Sequence, residues 1–370
     1  MDTIIHIITS LNSGGAERML TRVVVNSARK LPDKQFIVIS LMGNGVYGDE
    51  LVRAGVDLYC LNLHKKNKFS ALVELIQIIR RHKPRIIMTW LYHADLLGTI
   101  VGLVCGVKRI IWNIRCSDID FSKYSWTTWF CVKVLAFLSK IPVLVVVNSH
   151  AGKQAHINLG YKPKEWRYIP NGFDLDKFKP NEQDRKQMRA ELNVADEEPI
   201  VGIIARVDPQ KDYDTFLQAA VKVSKKNIKA KFLLIGKGTD VLNIPQIIKN
   251  QTICLGERKD IPSLLRAIDV FVLSSAYGEG FPNVLGEAMA TGVPCVTTDV
   301  GDAGRLVGEA GIVVQVGDEN ELALGIAKYL GRREDLGEKI INPSRVIIQN
   351  KYSINKINSM YLIEFSSADL

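Results

Sequence analysis

At 370 residues the chain exceeds an ordinary single domain, and its 47% hydrophobic residues suffice for two buried cores, which excludes a disordered or fibrous protein. A formal charge of +9 suits an anionic partner (nucleic acid, an acidic membrane surface or a phosphate-bearing substrate) without choosing among them. The six cysteines form no Cys-x-x-Cys pair and no histidine cluster has metal-ligand spacing, which excludes a zinc module and points to a reducing, cytoplasmic setting.

Met1-Asp-Thr-Ile is acidic and runs straight into a strand, so no signal peptide is expected. Residues 4–8 read as a buried strand, 9–17 as a glycine-bearing loop, and the run to about residue 29 as an amphipathic helix. Gly14 and Gly15 remove side chains where backbone can pass close to a ligand, and the helix start behind them favours negative charge. Taken alone, such a Gly-Gly pair is more often a simple turn. Strand and helix then alternate at 35–41, 50–54, 57–61, 68–81 and 85–90, the pattern of a parallel sheet covered on both faces. The apolar run 86–107 holds His93 and Asp95 and reads as strand, polar loop and helix rather than as a membrane span. His93 falls where residues of a sheet-end crevice fall, although an isolated histidine is as readily structural.

Residues 109–115 form a further strand that ends on Arg115, with Asp118 and Asp120 just beyond. The Asp-x-Asp spacing imitates a metal motif but is short and common, so these three residues are candidates for the acceptor side and no metal is expected. Residues 121–137 are aromatic at one end and have Lys123, Lys133 and Lys140 around them. The segment suits an ordinary packed helix or one lying in a membrane interface with its lysines toward lipid phosphates. A strand at 143–148 ends at Ser149, which with Asp302 is a candidate to line a cleft. From 174 to 198 the composition turns charged and turn-rich, and a linker is placed there. It separates a domain at 1–173 from one at 199–344, followed by a helical tail at 345–370.

The second half restarts with a strand that delivers Arg206 and Lys211 to one loop, two cations suited to a diphosphate. Cations this close on a surface are also often merely solvated. Strands at 231–235 and 252–255 lead into turns at Gly236 and at Gly256-Glu257-Arg258. The strand 269–273 leads into Ser275-Ala-Tyr-Gly-Glu-Gly-Phe-Pro-Asn-Val-Leu-Gly-Glu287 and a short helix closed by Gly292 and Pro294. A polar loop at a strand's carboxyl end is where open α/β sheets bind ligands. Pro282 suits a first helical turn, and the N–H groups of Phe281, Asn283 and Val284 would face an anionic or hydroxyl-rich ligand.

Two glutamates, Glu279 and Glu287, in the context Glu-Gly-Phe-Pro-x-x-x-x-Glu-Ala resemble the signature of the retaining family 4 glycosyltransferases of the glycogen synthase and mannosyltransferase type. The resemblance spans nearly the whole chain and is strongest in the second half. It implies an α/β fold of two Rossmann-like doubly wound domains facing across a cleft (GT-B), the first for the acceptor and the second for a nucleotide-sugar, with the tail packing back on the first. It implies further that Arg206 and Lys211 neutralise the leaving diphosphate, that Glu279 and His93 contact the donor sugar, and that Glu287 takes the ribose hydroxyls. Gly14 and Gly15 would lie against the diphosphate, and Gly236, Glu257 and Arg258 beside the base. Gly280, Phe281, Pro282, Asn283, Val284 and Leu285 would complete the donor site. Ala205 and Asp212 depart from glycines usual in the family beside the arginine and the lysine, and Asn12-Ser-Gly-Gly-Ala16 departs from the glucan-synthase loop.

The expected activity is a metal-independent, retaining transfer of a hexosyl or N-acetylhexosaminyl group from a UDP- or GDP-sugar, with no cofactor. A lipid-linked saccharide of O-antigen or capsule assembly is favoured as acceptor over a free one, with the enzyme peripheral on the anionic cytoplasmic face of a bacterial inner membrane. A nucleotide-sugar epimerase of the same fold is the alternative. A nucleic-acid binder is disfavoured, because the basic residues are dispersed and no base-stacking module appears.

Overall fold

The computed structural model describes residues 2–65, 67–117, 126–226, 228, 230–336 and 343–366. The chain divides into two compact units, Met1–Gly172 with Asn355–Leu370, and Phe173–Ile354.

In the first unit, β1 (Asp2–Ile8), α1 (Gly15–Lys30), β2 (Lys34–Ser40), α2 (Gly48–Arg53), β3 (Asp57–Cys60), α3 (Lys68–His82) and β4 (Ile86–Trp90) follow one another. After them come α4 (Tyr92–Val104), β5 (Arg109–Ile114), α5 (Trp126–Leu138), β6 (Leu144–Val147), α6 (His150–Asn158) and β7 (Trp166–Tyr168). Among the described residues the strands form one sheet in the order β3-β2-β1-β4-β5-β6-β7, every pairing parallel. The strands are almost unbroken apolar runs because both faces are covered; all five residues of β4 are buried. Ala71, Leu75 and Ile79 of α3 and Ala94 and Val101 of α4 pack on Ile5, Ile37 and Ile87 of the sheet.

The second unit begins with α7 (Glu182–Glu191), β8 (Ile200–Ile204), α8 (Tyr213–Lys225), β9 (Lys231–Ile235), β10 (Thr252–Cys254), α9 (Ile261–Ala267) and β11 (Val270–Leu273). It continues through α10 (Asn283–Thr291), β12 (Cys295–Thr298), α11 (Ala303–Val307), β13 (Ile312–Val314), α12 (Glu319–Leu336) and α13 (Pro343–Ile347). Its described strands form a parallel sheet in the order β10-β9-β8-β11-β12-β13.

The segment 174–198, expected as a linker, folds as part of the second unit. Arg189 of α7 is fully buried and donates to the Ala267 carbonyl (2.9 Å) and Asp269 (3.2 Å), and Arg185 reaches Asp269 at 2.7 Å. The charged composition that suggested a solvated linker is an ion-pair seam that satisfies the carboxyl end of α9. The tail also divides differently from the expectation. Residues up to Ile354 stay with the second unit, where Phe173 N–H donates to the Tyr352 carbonyl at 2.9 Å. From Asn355 the last helix, α14 (Ile354–Ser366), belongs to the first unit. There Asn113 donates to the Tyr361 hydroxyl at 3.0 Å, Arg167 donates to Glu364 at 2.7 Å, and Phe365 lies edge-on to His6 and Phe36.

Candidate active site

In the second sheet the strand order reverses direction of travel between β8 and β11, which pair side by side although β9 and β10 intervene in sequence. Ligands of open α/β sheets bind at such switch points, outside the carboxyl ends of the strands. The loop after β8 carries Arg206 and Lys211, and the loop after β11 carries Glu279.

These loops are laced together. Pro209–Lys211 is a 3₁₀ turn capped by Asp208, which accepts from Gln210 N–H at 2.9 Å. Asp212 adopts a left-handed conformation (φ 43°) and caps α8 through Thr215 N–H at 3.1 Å. From the other loop, Ser274 Oγ donates to the carbonyls of Lys211 (2.9 Å) and Asp212 (3.1 Å), and Ala276 N–H donates to the Gln210 carbonyl (2.9 Å). The lysine is thereby held where its ammonium pairs with Glu279 Oε1, which also accepts from Ser275 Oγ at 2.7 Å. The Lys211 and Glu279 side chains are only 16% and 9% exposed, so each charge depends on the other to offset its lost hydration. Arg206 differs: its side chain is 59% exposed and forks over Asp208 (3.2 Å) and Gln210 (3.4 Å).

Glu279 is fixed from behind by the loop that carries the cleft candidate Asp302, through Gly301, a residue the sequence reading did not single out. Gly301 has φ +62°, and a Cβ there would lie 1.8 Å from the Glu279 carbonyl oxygen; next to it Asp302 N–H donates to the Gly280 carbonyl at 2.9 Å. Phe281 is buried and stacks on Phe173 at 6.1 Å. Pro282 is the cap of α10 rather than a residue of its first turn, so the helix starts at Asn283 and its first N–H groups point out at the loop. Glu287 lies one turn on and is buried. Leu285 is fully buried in the core, so its side chain cannot touch a ligand, and Val284 packs against the same core. Gly236 (φ +141°) would place a Cβ 1.9 Å from the Ala205 carbonyl oxygen, so the loops after β8 and β9 meet as bare backbone. Beyond them Glu257 is exposed and Arg258 donates to Asp260 at 2.8 Å.

The first sheet has its own switch point, between β1 and β4. Gly14 caps α1 in extended conformation, Gly15 opens the helix, and a Cβ on Gly14 would collide with the Glu17 carboxylate. Leu91, after β4, has φ +74°, a strained conformation for a leucine at a sheet-end turn. His93 follows in the first turn of α4, half-buried, with burial lowering its pKa toward the neutral imidazole. One buried group there escaped the sequence reading. Asp95 is buried, accepts from Thr89 Oγ1 at 2.6 Å, and has its pKa raised to about 8 by desolvation.

Two acceptor-side candidates take structural roles. Arg115 bonds to Asn113 (2.9 Å), Asn171 and the Tyr361 hydroxyl and lies 5.2 Å over the Trp90 ring, tying α14 to the sheet. Ser149 is buried and caps α6 by accepting from Gly152 N–H at 2.9 Å. Asp118 and Asp120 lie outside the described residues. Ser275, Ser274 and Gly301 were missed because a serine or glycine at a strand end is ordinary turn chemistry until the fold shows what it holds.

Residues 14–177 match the family model described as Glycosyltransferase Family 4, and residues 198–332 match the one described as Glycosyl transferases group 1. The chain is 25% identical over 366 residues to the Escherichia coli UDP-Gal:alpha-D-GlcNAc-diphosphoundecaprenol alpha-1,3-galactosyltransferase, covering 92% of each chain. To the Staphylococcus aureus capsular polysaccharide biosynthesis glycosyltransferase CapM it is 25% identical over 308 residues, 79% of this chain and 80% of that one. Among solved structures, Anabaena HepE in complex with UDP superposes with a TM-score of 0.82 at 22% identity, over 100% of both chains. A glycosyltransferase from Rickettsia africae gives 0.82 at 19% identity, over 98% of this chain and 97% of that one. Matched half by half by two glycosyltransferase family models and along its length by the same fold, the chain belongs to the family 4 glycosyltransferases and has their GT-B architecture.

Proposed function

We propose that the chain transfers a sugar, with retention and without a metal, from a UDP-sugar to a lipid-linked saccharide of bacterial surface polysaccharide assembly. The observation that carries this reading is the buried Lys211–Glu279–Ser275 cluster at the β8/β11 switch point, with the exposed Arg206 fork beside it. The barrier to glycosyl transfer lies largely in departure of the nucleoside diphosphate, so prepositioned positive charge lowers it. As a diphosphate arrives, Lys211 turns its ammonium from Glu279 to the phosphate oxygens, joined by Arg206 and the first N–H groups of α10. Glu279 keeps the Ser275 hydrogen bond and is released to accept from a sugar hydroxyl, so one displacement readies both groups. Glu287 takes the ribose hydroxyls. The two cations and the helix start supply the positive charge that a metal would otherwise supply. The UDP choice draws support from HepE, solved with UDP and with UDP-glucose, and from the UDP-Gal donor in the name of the E. coli relative. That relative's diphosphoundecaprenol acceptor supports the lipid-linked one here, and with it a peripheral place on the cytoplasmic face of the membrane. No helix among the described residues is long and apolar enough to cross a membrane.

The test is thermal shift with UDP-, GDP-, ADP- and TDP-sugars, with and without EDTA, on wild type and Lys211→Ala. At a UDP-sugar concentration about a hundred times Kd the folded state gains about 2.7 kcal/mol, read as a higher Tm that EDTA leaves unchanged. Lys211→Ala should abolish the shift and lower turnover by about 10²–10³. A shift with another base, one that EDTA removes, or one that Lys211→Ala retains would overturn the corresponding part of the reading.

A further inference from the structure

Two neighbouring helices of the first unit carry apolar side chains on the face turned away from their own sheet. On α5 the buried residues are Thr128, Cys131, Val132 and Leu135. At 100° per residue, Trp126, Trp129, Phe130, Lys133 and Phe137 fall on the opposite side within an arc of about 100°. All five are exposed, Trp126 by 73% and Phe137 by 85%, and Trp126 stacks on Phe130 with ring centroids 5.8 Å apart. The adjoining α4 repeats the arrangement: it buries Ala94, Gly98, Thr99 and Gly102 and exposes Ile100, Leu103 and Val104. A helix that is apolar on all sides belongs in a core or a membrane, and a contiguous exposed apolar patch marks an interaction surface.

The charge around the patch selects the partner. Lys133 sits within the aromatic stripe and Lys140 just past its end, while Lys108 is exposed beyond the carboxyl end of α4. From residue 121 to residue 164 the sequence has six lysines and no acidic residue. Aromatic rings with lysines among them suit a bilayer boundary: the rings enter at headgroup depth and the lysines extend to the phosphates. Past α4 the surface also turns into a concavity of about 740 Å³ lined by Arg80, Lys83 and Lys108 together with Arg85 and Arg109, which pair with Asp2 (2.6 Å) and Glu364 (3.5 Å), so the excess positive charge at that edge comes from the first three.

We infer that the outer face of α4 and α5 is the surface by which the chain lies on an anionic lipid bilayer. The inference deepens the lipid-linked acceptor reading and rests on it for its purpose. Trp126 lies at the carboxyl edge of the first sheet and Phe137 toward the opposite edge, so the stripe runs the depth of the unit.

The experiment is flotation of the full chain with vesicles of phosphatidylcholine alone and of phosphatidylcholine mixed with phosphatidylglycerol. Three proteins are compared: wild type, the triple variant Trp126→Ser/Phe130→Ser/Phe137→Ser, and the double variant Lys133→Gln/Lys140→Gln. Wild type should float with the mixed vesicles, the triple variant should lose about a hundredfold in partition, and the double variant roughly thirtyfold, less at high salt. All three should keep the same Tm and the same UDP-induced shift, because the substituted side chains are exposed and far from the donor loops in sequence. No flotation of wild type, or undiminished flotation of the triple variant, overturns the inference. So does a wild-type dimer in sedimentation that the triple variant converts to monomer, which would assign the face to a second copy. Because the UDP shift is read on the same samples, failure of the bilayer surface is separable from failure of the donor reading.

Discussion

Lys211 and Glu279 are two ordinary charged residues in sequence, 68 positions apart, and their meaning comes from the ion pair they form with Ser275 on the carboxylate. The motif around Glu279 was legible because its glycines, proline and second glutamate are themselves distinctive, whereas Ser275 acquires a role only once the β11 loop folds over the lysine. Asp95 was illegible for a similar reason: a carboxylate in an apolar helix start reads as a loop residue, and only burial, working against the Thr89 hydrogen bond, raises its pKa. The folded chain holds a proton on Asp95 that the unfolded chain sheds above the ordinary 3.8. Its contribution to stability is therefore fully present below pH 3.8 and declines as pH rises toward about 8, levelling off beyond. Cys131 and Tyr161, both raised first by burial and then by Asp95, stay protonated through that window. Asp95→Asn keeps an acceptor for Thr89 and removes this linkage, so urea unfolding should show a flatter decline between pH 5 and pH 8 than wild type, by up to about one proton of slope. Parallel profiles for the two proteins would mean that Asp95 is ionised in the fold.

At the scale of elements, the site is a set of strand-to-helix loops whose backbones touch. Gly301 lies against the Glu279 carbonyl, and its positive φ and absent Cβ are both required for that approach. Gly301→Ala should push the Glu279 loop outward and lower kcat by about 10²-fold, since a displacement near 1 Å in a catalytic constellation has that effect. Turnover and thermal melting measured together check this; an active and stable variant would show that the loop relaxes freely. Strand and helix alternation was readable along most of the chain because buried parallel strands are unbroken apolar runs. The misses were short or charged elements. β7 has three residues, none fully buried, and α7 is so polar that its buried Arg189 passed for a linker residue.

Across the whole molecule, the chain leaves its first unit at Gly172 and returns to it at Asn355, so the first unit is complete only when the last helix has docked. Tyr361 carries much of that closure: it is fully buried, stacks on Trp90 at 6.2 Å and bonds to Asn113 and Arg115. Tyr361→Ala should destabilise the first unit by roughly 3–5 kcal/mol. In calorimetry it should lower one transition while UDP still raises the other; a single unshifted transition would show that α14 contributes little. The amino-acid sequence by itself determined the α/β class, the two-sheet plan and the donor-side motif, because hydrophobic periodicity and a dense local motif are properties of neighbouring residues. Tertiary structure alone decided which charges pair, that Arg115 anchors the tail, that 174–198 is a packed seam, and which faces of α4 and α5 stay outside. Those depend on what long-range folding brings within a few ångströms, and burial then sets whether a charge is bare, paired or neutral.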